Sequence, residues 1–373
     1  MLHIVGDSKS GGVTRIVMQL ASGAALSGWE VDVLTTDQRF SDRLASEGIG
    51  VLRLDVFQRR SNLVKDIRDI LRLSAVIRQR GYDVVHTHRP KVGVLGRLSA
   101  HLARAPHIIH TAHGFAFREE SSLLFRKAVT LSERVASRWT DKVVAVSRYH
   151  ARQMIDLKMA PERKVVAIPN GIIDLLPEFD AHVQRPRAVG SRRFNLVVVG
   201  RLAPQKGLEE LIGALAIVKF SADRDFSLTV VGDGPLLDDL QREALHAGIS
   251  ENVCFLGFRD DIAQILLRAD LVVLPSLREG LSIALLEAMS CARPIIASSI
   301  PGNREATDDG SAAWLVTPGS VVDLAGAVLH AMGVSESQRL ELGAKARQRF
   351  LDNFLSSTMT ARYLELYTAA QGS

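Results

Sequence analysis

Short β-branched runs alternate with longer helical patterns along the whole chain. In the first half the apolar runs are HIV (3–5), VDVL (31–34), DVVH (83–86), HIIHT (107–111), KVVAVS (142–147) and KVVAIP (164–169). The second half repeats the rhythm with FNLVVVG (194–200), FSLTVVG (226–232), NVCFLG (252–257), DLVVLP (270–275) and RPIIAS (293–298). Nearly continuous apolar runs belong to strands covered on both faces, and the intervening helices supply the crossovers that parallel strands require. The expected class is α/β, with two doubly wound, Rossmann-like domains. The stretch PNGIIDLLPEFDAHVQRPRAVGSRR (169–193) is rich in Pro, Gly and charge and lacks periodicity. It predicts one domain over 1–172, a linker over 173–193 and a second domain over 194–355. Residues 337–369 read as helices, and the final segment, 356–373, is expected to pack back onto the first domain. Two doubly wound domains facing each other would turn the carboxyl ends of both sheets toward one cleft, where open α/β sheets bind ligands.

With 373 residues and 47% hydrophobic content, the chain is long enough to bury a core in each domain, which excludes a disordered or fibrous protein. The only two cysteines, Cys254 and Cys291, offer neither a disulfide framework nor a metal-ligand spacing, so a reducing, cytoplasmic setting is expected. The opening MLHIVG lacks the basic and apolar regions of a signal peptide, and no uncharged run is long enough to span a bilayer. The expectation is a soluble or peripheral protein.

The net charge of +5 conceals an asymmetry. Residues 1–175 carry 27 basic against 17 acidic side chains, and the remainder 19 against 24, so the halves stand at +10 and −5. A basic half suits nucleic acid, anionic lipid or an anionic small molecule. Nucleic acid is disfavoured, because the basic residues are spread through amphipathic stretches without stacked aromatics or a reading helix.

In VVVGRLAPQKGLEELIGAL (197–215), a buried strand turns tightly into a helix with Arg201 and Lys206 at the junction. Backbone amides, a positive helix end and two cations make a cradle that a diphosphate would fit, although a solvated loop reads equally well from spacing alone. There is no Walker loop. Two further glycine turns follow strands: VVGDGP (230–235) and GDSKSGGVTR (6–15), where Gly11 and Gly12 would admit a phosphate close to backbone. Either could be only a turn, and GDGP lacks the third glycine of a dinucleotide fingerprint.

The stretch REGLSIALLEAM (278–289) places Glu279 in a loop and Glu287 inside a helix whose neighbours are apolar on nearly every face. A buried carboxylate usually has a partner, and one that accepts two hydrogen bonds suits a sugar or ribose diol. The amides of Gly280, Leu281 and Ser282 stand at the helix start. His113 lies just past the run HIIHTA, where a polar tip points to function; His86 and His88, at the end of DVV, could face a ligand or be core histidines. DRD (223–225) formally matches a metal-binding Asp-x-Asp but precedes its strand, and reads as a charged loop, so no metal is expected.

GRLAPQKG, GDGP, VCFLGFRDD and REGLSIALLEAM, in this order and spacing, resemble the donor-binding half of the retaining GT-B glycosyltransferases of family GT4. The first half extends the likeness with the glycines at 11–12, DVVHTHRP (83–90) and HTAHGF (110–115). The resemblance implies a nucleotide-sugar donor as substrate and no metal or other cofactor. It assigns the donor diphosphate to Arg201 and Lys206, the ribose to Glu287, and the sugar to Glu279 with the amides of Gly280, Leu281 and Ser282. Gly12 would approach the phosphate from the opposite domain, Phe258 would lie near the base by backbone contact, and His113 would sit at the reacting centre. The catalytic group implied is thus His113, Glu279, Arg201 and Lys206, with His86 and His88 as acceptor-side candidates. UDP is favoured over GDP. The family resemblance extends to enzymes of capsule, exopolysaccharide or O-antigen synthesis, so the expected acceptor is a glycan or a polyprenyl-diphosphate-linked sugar. The amphipathic stretches 62–80 and 121–139 read as packed helices or as contacts with an anionic membrane surface on the cytoplasmic face. An epimerase-like relative and a catalytically silent nucleotide-sugar binder stand as alternatives.

Overall fold

The computed structural model describes residues 1–6, 11–57, 62–114, 121–176, 193–222 and 225–369. Residues 7–10 of the first glycine turn, Phe115 of HTAHGF, Asp223 and Arg224 of DRD, and most of the expected linker lie outside them. The chain divides into two compact units, Met1–Gly171 with Ser356–Ser373, and Ile172–Leu355.

The first unit runs β1 (Leu2–Gly6), α1 (Gly12–Leu26), β2 (Asp32–Thr35), α2 (Gln38–Ser46), β3 (Gly50–Leu52), α3 (Leu63–Arg80), β4 (Val84–His88), α4 (Pro90–Ala103), β5 (His107–Ala112), α5 (Leu123–Ala136), β6 (Lys142–Ala145), α6 (Arg148–Asp156) and β7 (Val165–Ala167). Among the described residues its strands are all parallel, in the order β3-β2-β1-β4-β5-β6-β7. Chain order reverses between β1 and β4, which opens a crevice at their carboxyl ends. Polar caps set the helix starts: Asp37, Asn62, Ser122 and Ser147 each accept the amide three residues on.

The second unit runs β8 (Phe194–Val199), α7 (Leu208–Ser221), β9 (Phe226–Val231), α8 (Leu237–His246), β10 (Val253–Phe255), α9 (Ile262–Leu267), β11 (Leu271–Leu274), α10 (Ile283–Ser290), β12 (Ile295–Ser298), α11 (Pro301–Thr307), β13 (Trp314–Val316), α12 (Val321–Gly333) and α13 (Glu336–Asn353). The order β10-β9-β8-β11-β12-β13 is again parallel, with the reversal between β8 and β11. Its core stacks Leu196, Val198, Leu228 and Val273 against Leu211, Leu215 and Val328. This unit also holds Ile172 to Leu176: Arg347 of α13 grips Asp174 through two hydrogen bonds of 2.7 and 2.8 Å and the Leu176 carbonyl through a third of 2.6 Å.

The last helix, α14 (Ser356–Ala369), belongs to the first unit. Gly23 of α1 lets it approach, since a Cβ there would stand 2.2 Å from Thr360 Cγ2. Its Tyr363 and Tyr367 are buried with their hydroxyls on Thr111 and His86. None of the helices among the described residues is long and apolar enough to cross a membrane.

Candidate functional site

In the second unit, the segments leaving β8 and β11 at the reversal carry most of the expected donor residues. The first is laced to the neighbouring GDGP turn by backbone: Gly200 N–H donates to the Val231 carbonyl at 2.9 Å, Leu202 N–H to Asp233 at 2.9 Å, and Leu236 N–H to Leu202 at 3.2 Å. A Cβ on Gly232 would fall 1.9 Å from the Gly200 carbonyl oxygen, and one on Gly234 would fall 2.1 Å from that of Leu202. The glycines of GDGP are therefore explained by close backbone packing rather than by a phosphate, and that packing positions the loop bearing Arg201, which is exposed.

The chain then makes one 3₁₀ turn, 204–206, and enters α7 at Gly207, whose φ of +63° and 2.1 Å clearance to the Pro275 carbonyl admit no side chain. Leu277 N–H donates to the Gln205 carbonyl at 2.9 Å, tying this turn to the segment after β11. The Lys206 ammonium consequently meets the Glu279 carboxylate in an ion pair, with both side chains under one-fifth exposed. Ser276, which the sequence did not single out, donates its hydroxyl to the same Glu279 oxygen at 3.2 Å. The residues expected to hold diphosphate and sugar thus form one preorganised cation–carboxylate pair, offering an acceptor for hydroxyls and a donor for phosphate oxygens.

Gly280, Leu281 and Ser282 are buried and backed by α11, whose Gly302 would bring a Cβ to 2.2 Å from the Gly280 carbonyl. Ser282 caps α10 in extended conformation, without a side-chain cap bond. Glu287, five residues into α10, is only 3% exposed, as its apolar surroundings predicted. Phe258 is exposed, and its amide donates to Asp233 Oδ1 at 3.1 Å, placing it beside the GDGP turn. Asp233, also not singled out, joins these two loops. Asp225, the described residue of DRD, accepts from the Phe226 amide at 2.9 Å, from Asn252 at 3.0 Å and from Arg193 at 2.8 Å. Those partners give it a structural role at the start of β9.

In the first unit, Gly12 opens α1 and is exposed, and Thr14 closes the turn by accepting from the Gly11 amide at 2.9 Å and donating to its carbonyl at 2.8 Å. Histidines dominate the reversal between β1 and β4. His3 is the register partner of His86, and His88 follows two residues on, so all three share one face. Thr111 is opposite His88 on β5, and His113 extends the same face one step past the strand.

Of the two readings open for His86 and His88, a ligand contact or a core histidine, their surroundings match the second: both are fully buried. His86 spends Nδ1 on Tyr367 and Nε2 on Thr111, each at 2.8 Å, because α14 covers this face. His88 bridges two rings, with Nε2 3.1 Å from His3 Nδ1 and Nδ1 3.1 Å from His113 Nε2. Of the three, only His113 is partly exposed. Burial, reinforced by the Arg89 cation, lowers its pKa to about 3; burial likewise holds His86 and His88 well below the usual imidazole range. Ligand nitrogens of His3, His86 and His88 lie within 4.8 Å of one another, close enough to hold a metal, but His86 and His88 direct theirs into this hydrogen-bond network.

Two parallel doubly wound units are the architecture of the GT-B class of glycosyltransferase fold. Among solved structures, Anabaena HepE in complex with UDP-glucose superposes with a TM-score of 0.82 at 22% identity, covering 99% of both chains. A glycosyltransferase from Rickettsia africae ESF-5 gives 0.80 at 20%, covering 99% and 98%. The chain belongs to the GT4-type glycosyl transferases group 1: residues 11–171 match the model described as "Glycosyl transferase 4-like domain" and residues 184–349 that described as "Glycosyl transferases group 1". An Escherichia coli UDP-Gal:alpha-D-GlcNAc-diphosphoundecaprenol alpha-1,3-galactosyltransferase is 34% identical over 252 residues, 66% of this chain and 65% of that protein, just under two thirds of its length. A Mycobacterium tuberculosis D-inositol 3-phosphate glycosyltransferase is 27% identical over 98% of this chain and 80% of its own.

Proposed function

We propose that the chain transfers a sugar, with retention of configuration, from a nucleotide-diphosphate sugar to a glycan or polyprenyl-diphosphate-linked acceptor, in the synthesis of a cell-surface polysaccharide. The observation that carries the reading is the Lys206–Glu279 pair at the sheet reversal, with Arg201 on the adjoining loop and Glu287 buried in α10. In this reading Arg201 and Lys206 hold the diphosphate and stabilise its charge as it leaves, without a metal ion. Glu287 holds the ribose, Glu279 and the 280–282 amides hold the sugar, and Phe258 contacts the base through backbone. The same reading gives Gly12 a phosphate contact and puts His113 at the reacting centre. UDP is favoured over GDP, a preference supported by the UDP-glucose complex of HepE and by the UDP-Gal donor and diphosphoundecaprenol acceptor in the name of the E. coli relative.

For retention we favour a front-face path, in which the departing phosphate accepts the acceptor's proton. A double displacement requires a carboxylate on the far side of the sugar, and the sequence identifies none. Inverted product from Glu279→Gln would refute this path.

A peripheral membrane site fits the same acceptor. On α3, Leu63, Val64, Ile67 and Leu71 stand exposed beside Arg68 and Arg72, and on α5, Leu123, Leu124 and Phe125 stand exposed beside Lys127. Apolar side chains among cations suit an anionic bilayer surface.

The test is calorimetric binding of UDP and GDP without metal, followed by transfer assays from UDP-sugars onto polyprenyl-diphosphate-GlcNAc. Absence of nucleotide binding would refute the donor assignment, and turnover of donor without acceptor would favour an epimerase-like activity.

A further inference from the structure

The first unit contains a line of imidazoles that the transfer reaction does not by itself require: His3 Nδ1 to His88 Nε2 at 3.1 Å, then His88 Nδ1 to His113 Nε2 at 3.1 Å. The ring planes are near-parallel, at 18° and 29°, and His3 and His88 are fully buried. Each N···N contact needs one N–H and one lone pair. A neutral imidazole has one of each, so the protons must align along the whole line in one direction or the other.

The far end decides which. His3 Nε2 is buried and has no hydrogen-bond partner among the described residues. If the protons ran outward from His113, with N–H on its Nε2, the line would end in an orphaned N–H on His3 Nε2, an arrangement that folded proteins largely avoid. If they run the other way, His3 donates through Nδ1–H to His88, His88 donates through Nδ1–H to His113, and only a bare lone pair is left at the buried end.

We infer that His3 and His88 are positioning residues that fix His113 as the Nδ1–H tautomer, so that past the end of β5 it offers a hydrogen-bond donor and not a general base. The inference rests on the reading of His113 as part of the transfer site. Burial supports the neutral state that the alignment needs: it lowers the pKa of His3 to about 3, as it does that of His113, and holds His88 well below the usual range.

The test is a two-bond ¹H–¹⁵N correlation on the full chain labelled at histidine, recorded without ligand near neutral pH. His113 is expected with its proton on Nδ1; a proton on Nε2, or a doubly protonated ring, overturns the inference. Two variants read the consequence. His88→Asn offers a carboxamide N–H near the lost Nδ1–H, and should keep the tautomer and most of kcat. His88→Asp offers only an acceptor, and should move the His113 proton to Nε2 and lower kcat on the order of a hundredfold, with UDP binding unchanged. Equal kcat in the two variants, once their tautomers are shown to differ, would also overturn it. The wild-type spectrum remains decisive if His88→Asp does not fold. A wild type with the expected spectrum but no transfer to any acceptor would refute the proposed function and leave the tautomer assignment standing.

Discussion

Lys206→Ala and Glu279→Gln should move UDP affinity in opposite directions, because the two side chains hold each other in the unliganded chain. Under the proposed donor assignment, replacing Lys206 removes a charge-assisted contact to the diphosphate worth about 1.5–3 kcal/mol, or roughly ten- to a hundredfold in Kd. It also leaves Glu279 facing the phosphates with only the Ser276 hydroxyl as its described partner, so the loss should fall in the upper half of that range. Replacing Glu279 releases the ammonium from a competitor. The pair is neither fully exposed nor buried, at 17% and 19% exposure, so its own worth is close to the upper end for surface pairs, about 1 kcal/mol. Glu279→Gln should therefore tighten UDP by up to about fivefold, while weakening the UDP-sugar relative to UDP because a sugar contact is altered. Isothermal titration of UDP and UDP-glucose into wild type, both single variants and the double variant would measure the coupling. If Glu279→Gln weakens UDP as much as Lys206→Ala does, the pair is a structural unit and the division of roles is wrong. An unchanged Kd in Lys206→Ala removes Lys206 from the diphosphate.

Gly234→Ala should cost about 3 kcal/mol in chemical denaturation, because its Cβ would be driven against the Leu202 backbone. Gly326→Ala, at an exposed mid-helix position with nothing within 4 Å, should stabilise by about 0.5–1 kcal/mol. Arg347→Met should destabilise the second unit by about 3 kcal/mol, since it strips the grip on Asp174, Ser290 and Leu176. Burial pushes the Asp174 carboxyl upward, but the bonds from Arg347, the Leu176 amide and Ser290 outweigh it and hold its pKa below the ordinary value. Its contribution is then complete above the unfolded pKa and lost as pH falls through the folded one, so urea midpoints should drop below about pH 4 in wild type and less steeply in Arg347→Met. Leu124→Ser with Phe125→Ser should reduce cosedimentation with anionic vesicles and leave UDP binding intact; equal retention on anionic and neutral vesicles would refute the membrane contact.

Strand continuity was legible from residue patterns because a buried parallel strand must be apolar on both faces, whatever it packs against. The exceptions are instructive. Gly50–Leu52 and Trp314–Val316, the strands β3 and β13 at one edge of each sheet, have three residues each and lie outside the apolar runs of the sequence pattern, unlike the equally short β7 and β10, which lie within KVVAIP and NVCFLG. The burial of Glu287 was likewise readable, since apolar neighbours on every side leave a helix face no route to water.

Residue order alone carried the α/β class, the alternation that makes each sheet parallel, and the spacing that puts Arg201, Lys206 and Glu279 in the segments after two strands and Glu287 in the helix that follows. Those properties depend on neighbours within a few turns of chain. Tertiary structure decided which polar groups meet. Lys206 and Glu279 are 73 residues apart and pair only because β8 and β11 are adjacent at the reversal. The GDGP glycines answer to a carbonyl some thirty residues away, and His86 is sealed by a tyrosine 281 positions downstream. A histidine two residues from another on a strand is the same pattern whether solvent, ligand or a returning helix lies over it; only the packing of α14 on that face ties His86 to Tyr367 and Thr111, beside the line in which His88 joins His3 to His113.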